Sequence, residues 1–395
     1  MATQDPHSGL SGDGQDHARP TTSTRDLNLI GPDLGRWLSG KLGLSGKPGL
    51  TGKPESGTQA QVTNLCAPST NGMSSETVLF DARWEDENGP QQHALVARLA
   101  PPDSAVPVFP EYDLDRQFSV MALVGARSEV PVPPVWWSEP DPAVLGTPFF
   151  VMSRIDGDVP PDVMPYNFGS WLSEADPADQ ARLQESSVAV LARLHATRAG
   201  DEDLAFLASP GHGSDALERH VNAQWSYYQW VADGVPSPLL EACFGWLWDH
   251  WPRHLSPTLL SWGDARIGNM MFRDFEPVAV LDWEMASVAP PEVDLAWFIF
   301  LHRFFEDLAS GAGLAGMPDF LRRDDVASTY ERVAGYEPKD LDFFTMYAAL
   351  RHGIVMSRVM RRSIHFGEAT MPEDVDDLIM HRATLQAMLA GTYRD

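Results

Sequence analysis

The spacing of apolar residues changes several times along this chain. Leu27, Ile30, Leu34, Trp37 and Leu38 fall at near-helical intervals, and Gly31 with Pro32 predicts a split into two short helical pieces. Residues 61–66, 76–84 and 92–99 are rich in β-branched and aromatic residues and predict three strands. Glu85-Asp86-Glu87-Asn88-Gly89 reads as the hairpin turn between the second and third. Residues 112–124 return to helical spacing through Leu114, Phe118, Met121 and Val124, residues 130–137 are Pro-rich and extended, and residues 147–155 form a strongly apolar strand. Beyond Gly157 the helical period dominates, with apolar faces in residues 179–197, 215–231, 238–248, 291–308, 340–362 and 373–389. Two short strands, 270–272 and 278–281, interrupt them around a turn. The pattern predicts an α+β molecule: a small antiparallel β lobe with one helix, then a larger, mainly helical lobe across a cleft.

The expected organisation is a disordered tail over 1–25, a short helical segment and Gly/Lys-rich insertion over 26–59, a β lobe over 60–155 and a helical lobe over 156–395. The insertion holds three copies of Leu-Ser/Thr-Gly-Lys, beginning at Leu38, Leu44 and Leu50, and reads as a mobile surface segment. Gly35 to Lys41 comes close to a Walker A loop. Leu42 stands where a Mg²⁺-binding Ser or Thr is required, and no strand precedes it, so that reading is rejected.

Charge narrows the function. The 395 residues carry 29 Lys and Arg against 55 Asp and Glu, a net charge of −26. No general basic footprint for nucleic acid or an anionic membrane is expected. Cys66 and Cys243 make neither a disulfide framework nor a metal cluster. No apolar run approaches the ~20 residues of a membrane span, and the polar N-terminus lacks a secretory signal, so a cytoplasmic location is expected. The oligomeric state is left open.

The densest polar cluster in apolar surroundings is Trp262-Gly-Asp264-Ala-Arg266-Ile-Gly-Asn269, followed by Leu281-Asp282-Trp283-Glu284 across the short hairpin. Phosphoryl transfer needs this set: a carboxylate to orient and deprotonate the attacking hydroxyl, and an amide oxygen with a second carboxylate to hold Mg²⁺ against nucleotide phosphates. Asp264 is the candidate base, and Asn269 and Asp282 are the candidate metal ligands. Glu284 is either a further metal contact or a solvated charge. Arg266 is either a cation near the transferred phosphate or a surface ion pair. Asp294 reads as a structural carboxylate at the start of its helix, and His195 as a core histidine. No Gly-x-Ser-x-Gly elbow or zinc spacing is present.

These motifs resemble the catalytic core of the aminoglycoside phosphotransferase and choline-kinase family, which has a protein-kinase-like two-lobed fold. The family's His-Gly-Asp-x-x-x-x-Asn reads here as Trp262-Gly263-Asp264 to Asn269, its Asp-Trp/Phe-Glu/Gly as Asp282-Trp283-Glu284, and its helical Asp-Leu-Ala as Asp294-Leu295-Ala296. The resemblance extends over about residues 60–390. It implies phosphate contacts from the Gly72–Thr77 turn, through Ser74, Ser75 and Thr77, and from Arg98 in its strand. It also implies an adenine-binding hinge at Val151 and Met152, with ATP or GTP and Mg²⁺ as cofactors. Three positions depart from the family. Trp262 replaces His, as in bacterial members of unknown substrate and in kinase-like domains fused to acyl-CoA dehydrogenases. Arg98 replaces Lys. Gln117 replaces the helix's acidic residue, which predicts an Arg98–Gln117 hydrogen bond.

The implied activity is phosphate transfer to a hydroxyl of a small molecule, possible acceptors being an aminoglycoside-like antibiotic, a hydroxyacyl thioester, a sugar, a macrolide or an amino alcohol. The rival from another class is a pseudokinase that binds nucleotide without useful turnover. A scaffold built on the Gly/Lys repeat is a third reading.

Overall fold

The computed structural model describes residues 27–44, 59–68, 75–86, 89–101 and 106–394. The expected tail, the second copy of the repeat after Leu44, the third copy, residues 71–74 of the expected phosphate turn with Ser74, and residues 87–88 of the expected hairpin turn lie outside the described residues.

A twisted five-stranded antiparallel sheet forms the first lobe. Its strands are β1 (Gln61–Cys66), β2 (Glu76–Asp86), β3 (Gly89–Leu99), β4 (Val135–Glu139) and β5 (Phe149–Ser153), in the order β1-β2-β3-β5-β4. Alternation along β3 and β5 explains its two covered faces. Leu95, Ala97, Leu99, Phe149 and Val151 point into one core, under helix α1 (Leu27–Leu44). Val96, Phe150 and Met152 point into the other, with Val120, Met121 and Val124 of helix α2 (Leu114–Arg127). Arg98, between Ala97 and Leu99, therefore lies on the α2 face.

Helix α1 corrects the expected split. It runs unbroken through Gly31 and Pro32 because its stripe of Ile30, Leu34, Trp37, Leu38 and Leu42 is buried on the sheet, and that packing outweighs the one helical hydrogen bond proline removes. The first copy of the repeat, Leu38 to Lys41, is part of this helix rather than a mobile insertion. Lys41 pairs with Glu139 of β4 at 3.0 Å, and the Trp37 indole donates to the same carboxylate at 2.7 Å.

The second lobe holds α3 (Pro177–His195), α4 (Asp201–Leu204), α5 (Ala216–Ala232), α6 (Pro238–Asp249), α7 (Glu292–Gly311), α8 (Arg323–Ala334), α9 (Leu341–His365) and α10 (Arg382–Leu389). Two small ladders lie between α6 and α7. Strands β6 (Leu259–Ser261) and β9 (Ser287–Ala289) pair antiparallel, and β7 (Met270–Arg273) and β8 (Glu276–Val280) form the expected hairpin, turned by Asp274 and Phe275 at positive φ. The three-residue strands β6 and β9 are too short to leave a period in the sequence. The expected helix over 373–389 is broken into a 3₁₀ turn (Val375–Leu378) and α10. Asp374 caps the turn through the Asp376 amide at 3.0 Å, and the His381 ring is drawn inward to the Ala349 carbonyl at 2.9 Å. No helix among the described residues is long and apolar enough to cross a membrane.

Candidate functional site

The site is built where β6 and the β7–β8 hairpin deliver two loops to the same place. Asp294, in the first turn of α7, organises the first loop. Its Oδ1 accepts from the Ser261 hydroxyl and the Gly263 amide, both at 2.8 Å, and its Oδ2 accepts from the Trp262 amide at 2.8 Å. His195 lies 3.1 Å from Oδ2 and is held on its other side by the Tyr330 hydroxyl at 2.8 Å. Burial pushes the Asp294 carboxyl up, but the His195 bond and charge and the two amides outweigh it and hold the group below the usual carboxylate range. Gly263 follows at φ +88°, and a Cβ there would stand 2.1 Å from the Met285 carbonyl oxygen, so only glycine lets the two loops touch.

Asp264 is held on both oxygens. The Trp297 indole donates to Oδ1 at 2.8 Å, and Asn269 Nδ2 at 2.6 Å and Arg266 Nε at 3.1 Å donate to Oδ2. The 3₁₀ turn Ile267–Asn269 supplies the five-residue reach that brings Asn269 back to Asp264. That bond uses the nitrogen of the Asn269 amide and leaves its oxygen for another partner. Arg266 also binds Asp162. Burial works against its charge, but Asp264 and Asp162 together keep the guanidinium firmly protonated.

Asp282 arrives on the second loop in a left-handed conformation, φ +58°. The Trp262 indole donates to the carbonyls of Leu281 at 2.9 Å and Asp282 at 3.2 Å, joining the loops. Arg98 Nη2 stands 3.8 Å from Asp282 Oδ1, and that oxygen is buried without a hydrogen-bond donor. Burial raises the Asp282 carboxyl above its ordinary value; Arg98 opposes this, and the Asp264 charge adds to it. A buried carboxylate oxygen with no donor suits a hard cation that takes its remaining ligands from other oxygens, phosphate and water among them.

The structure thus brings Asp264, Arg266, Asn269, Asp282 and Arg98 together. Ser75 and Thr77 join them, because Thr77 is the cross-strand neighbour of Arg98 and its hydroxyl accepts from Nη1 at 2.8 Å, while the Ser75 hydroxyl accepts from Nη2. The predicted Arg98–Gln117 bond is not made: Gln117 is buried on α2, and Arg98 turns to its strand neighbours and Asp282. Val151 and Met152 lie inside β5, which is paired on both edges. The Val151 side chain faces the α1 core and that of Met152 the α2 core, and the chain leaves the sheet at Arg154, whose amide donates to Ala94 at 2.9 Å. Burial raises the Tyr112 and Tyr227 phenols, and the Glu284 charge adds to both as a smaller contribution.

Sequence reasoning missed three contributors. Trp297 is one helical turn after Asp294, and that i, i+3 spacing was a usable signal. Arg351 interrupts the apolar run of α9; it is buried, stacks over Trp297 at 4.5 Å and donates to the Gly263 carbonyl at 3.0 Å. Asp162 stands in irregular chain with no local motif.

A β lobe with a basic strand residue, joined to a helical lobe carrying a braced Asp-x-x-x-x-Asn loop and a second carboxylate, defines a protein-kinase-like phosphotransferase fold. The chain belongs to the phosphotransferase enzyme family, whose model matches residues 71–336. Among curated proteins it is similar to mouse acyl-CoA dehydrogenase family member 10, 26% identical over 283 residues, covering 68% of this chain and 24% of that protein. Human acyl-CoA dehydrogenase family member 11 is 28% identical over 247 residues, 61% of this chain and 28% of that protein. The chain therefore spans about a quarter of the length of these relatives. Among solved structures, a Ralstonia eutropha protein described as an aminoglycoside phosphotransferase superposes with a TM-score of 0.60 at 18% identity, covering 91% of this chain and 97% of that one. Plasmodium vivax ethanolamine kinase gives 0.52 at 12% identity, covering 85% and 84%.

Proposed function

We propose that this chain transfers the γ-phosphoryl group of ATP, or of GTP, to a hydroxyl group of a small molecule. The observation that carries the reading is the Asp264 carboxylate, braced by Trp297, Asn269 and Arg266 in the same site as the donor-free oxygen of Asp282. Asp264 orients the acceptor hydroxyl and takes its proton. The acceptor oxygen bonds to the γ-phosphorus while the bond to the β–γ bridging oxygen breaks, leaving the nucleoside diphosphate. Asn269 and Asp282 would hold Mg²⁺, which neutralises charge on the phosphates when bound. Arg98, Ser75 and Thr77 meet the phosphates from the β lobe, and Arg266 stands two residues after the base to meet the group in transit. The hinge that begins at Val151 and Met152 would take the adenine edge. A cytoplasmic setting, where ATP is supplied, fits this role. Most of the acceleration comes from positioning and charge neutralisation.

The acceptor is one of the hydroxyl compounds named from the sequence: an aminoglycoside-like antibiotic, a hydroxyacyl thioester, a sugar, a macrolide or an amino alcohol. The bonds of Trp262 and Arg98 within the site support turnover over a pseudokinase. The test is a thermal-shift titration with ATP and GTP, with and without Mg²⁺, on wild type, Asp264→Ala and Asp282→Ala, followed by an acceptor screen reading diphosphate release. A magnesium-dependent rise that Asp282→Ala loses, with turnover that Asp264→Ala lowers by about 10²–10⁴, is expected. No shift at millimolar nucleotide overturns the reading.

A further inference from the structure

The family's acidic residue on the first-lobe helix is Gln117 here, and it does not reach Arg98, yet α2 is fastened to the site by the residue before it. Arg116 lies in the first turn of α2, whose start is fixed by the Asp113 carboxylate accepting from the Arg116 amide at 2.8 Å. A cation in a first turn works against the helix dipole, so the helix itself gains nothing from it. The side chain instead crosses to the second lobe. Nη2 donates to the Ala286 carbonyl at 2.8 Å and to the Leu207 carbonyl at 3.3 Å.

Ala286 is the point where the two functional loops meet. It comes four residues after Asp282 and one before the Ser287–Ser261 pair of the β6–β9 ladder, and Ser261 leads directly into Trp262-Gly263-Asp264. The neighbouring Met285 carbonyl is the one against which Gly263 packs. A donor on the Ala286 carbonyl therefore restrains the loop that carries Asp282 and the loop that carries Asp264 together.

We propose that Arg116 is a positioning residue: through the Ala286 carbonyl it couples the placement of α2 to that of Asp282 and the base loop, a link that Arg98 and Gln117 do not make. The proposal rests on the phosphotransferase reading for its effect on nucleotide binding, but not for its effect on the segment itself. Two readouts separate these. Amide hydrogen exchange in the nucleotide-free protein is compared between residues 283–289 and the β7–β8 hairpin. Affinity for ATP is measured with and without Mg²⁺.

Arg116→Met is expected to speed exchange at residues 283–289 about tenfold, the loss of roughly one hydrogen bond, while the hairpin is unchanged. It should weaken ATP binding with Mg²⁺ and leave metal-free binding as it was. Arg116→Lys, which keeps one donor, should recover part of both effects and is the fallback should the Met variant fail to fold. Arg127→Ala removes the ion pair of α2 with Asp203 and should leave residues 283–289 unchanged. Unchanged exchange at 283–289 in both Arg116 variants, or an equal rise throughout the second lobe, overturns the proposal. A wild-type protein without magnesium-dependent ATP binding overturns the phosphotransferase reading instead, and the exchange result still judges Arg116.

Discussion

The indole N–H of Trp262 reaches the main-chain carbonyl of Asp282, 3.2 Å away. It donates more closely to Leu281, at 2.9 Å, so one fully buried ring ties the base loop to the loop of the second carboxylate. Trp262→Phe keeps an aromatic ring but leaves two buried carbonyls without that donor and opens a small cavity. We expect a stability loss of roughly 2–3 kcal/mol in urea unfolding and a fall of about tenfold in turnover. Trp262→His, which restores a donor, should regain turnover relative to Phe; equal activity of the two would remove the indole bond from the account.

Burial raises the Asp282 carboxyl above its ordinary value, which fixes the sign of its contribution to stability. A raised native value means that the contribution is fully present below the unfolded pKa and is lost as pH rises through the native one. Asp282→Asn stays neutral, so the nucleotide-free variant should melt no lower than wild type at pH 7 and converge with it near pH 3. Magnesium-dependent stabilisation by ATP should disappear. A variant that melts lower than wild type at pH 7 and regains the difference in acid would contradict this.

The reverse sign applies to Asp294. Its native value is lowered by His195 and the loop amides against the cost of burial, so its contribution is present above about pH 4, the ordinary carboxylate value, and is lost as pH falls through the native value. Asp294→Asn should cost roughly 2–4 kcal/mol at pH 7 because the Trp262 and Gly263 amides lose their charged acceptor. The gap between variant and wild type should narrow in acid, as read from urea midpoints between pH 7 and pH 3.

Four buried histidines predict a broader acid sensitivity. Burial lowers His220 and His302 to about 3, His381 to about 4, and His352 well below its ordinary value. Each stays neutral in the native state while the unfolded chain protonates below about pH 6.5. Stability is therefore present above that value and lost as pH falls toward the native ones, by roughly 2 kcal/mol per histidine at pH 5. Urea midpoints should begin to fall near pH 6.5, well above the carboxylate range. A flat profile down to pH 5 would mean that these rings are not held neutral.

Sequence reading carried furthest where chemistry is local. Asp264 and Asn269 lie five residues apart, a spacing that lets one loop present both, and the 3₁₀ turn between them closes the contact. Asp294 was legible as structural because a carboxylate in a first helical turn faces the loop amides packed against it. Reading failed where a partner comes from far along the chain. Gln117 sits at the position of an acidic partner for Arg98, yet cross-strand pairing gives Arg98 to Thr77, and it is Arg116 of the same helix that reaches the Ala286 carbonyl. Asp162 is 104 residues before Arg266 and carries no motif.

The sequence by itself determined the two lobes, the strand and helix periods, and the spacing of the base, the amide and the second carboxylate, because each depends on residues within a turn or a hairpin of one another. Tertiary structure alone decided that Pro32 rides inside a continuous α1, since the free energy that keeps the helix intact comes from the sheet beneath it. It also decided that Trp262 and Arg116 join the loops, because both donate to main-chain carbonyls, and carbonyls carry no signature of residue type.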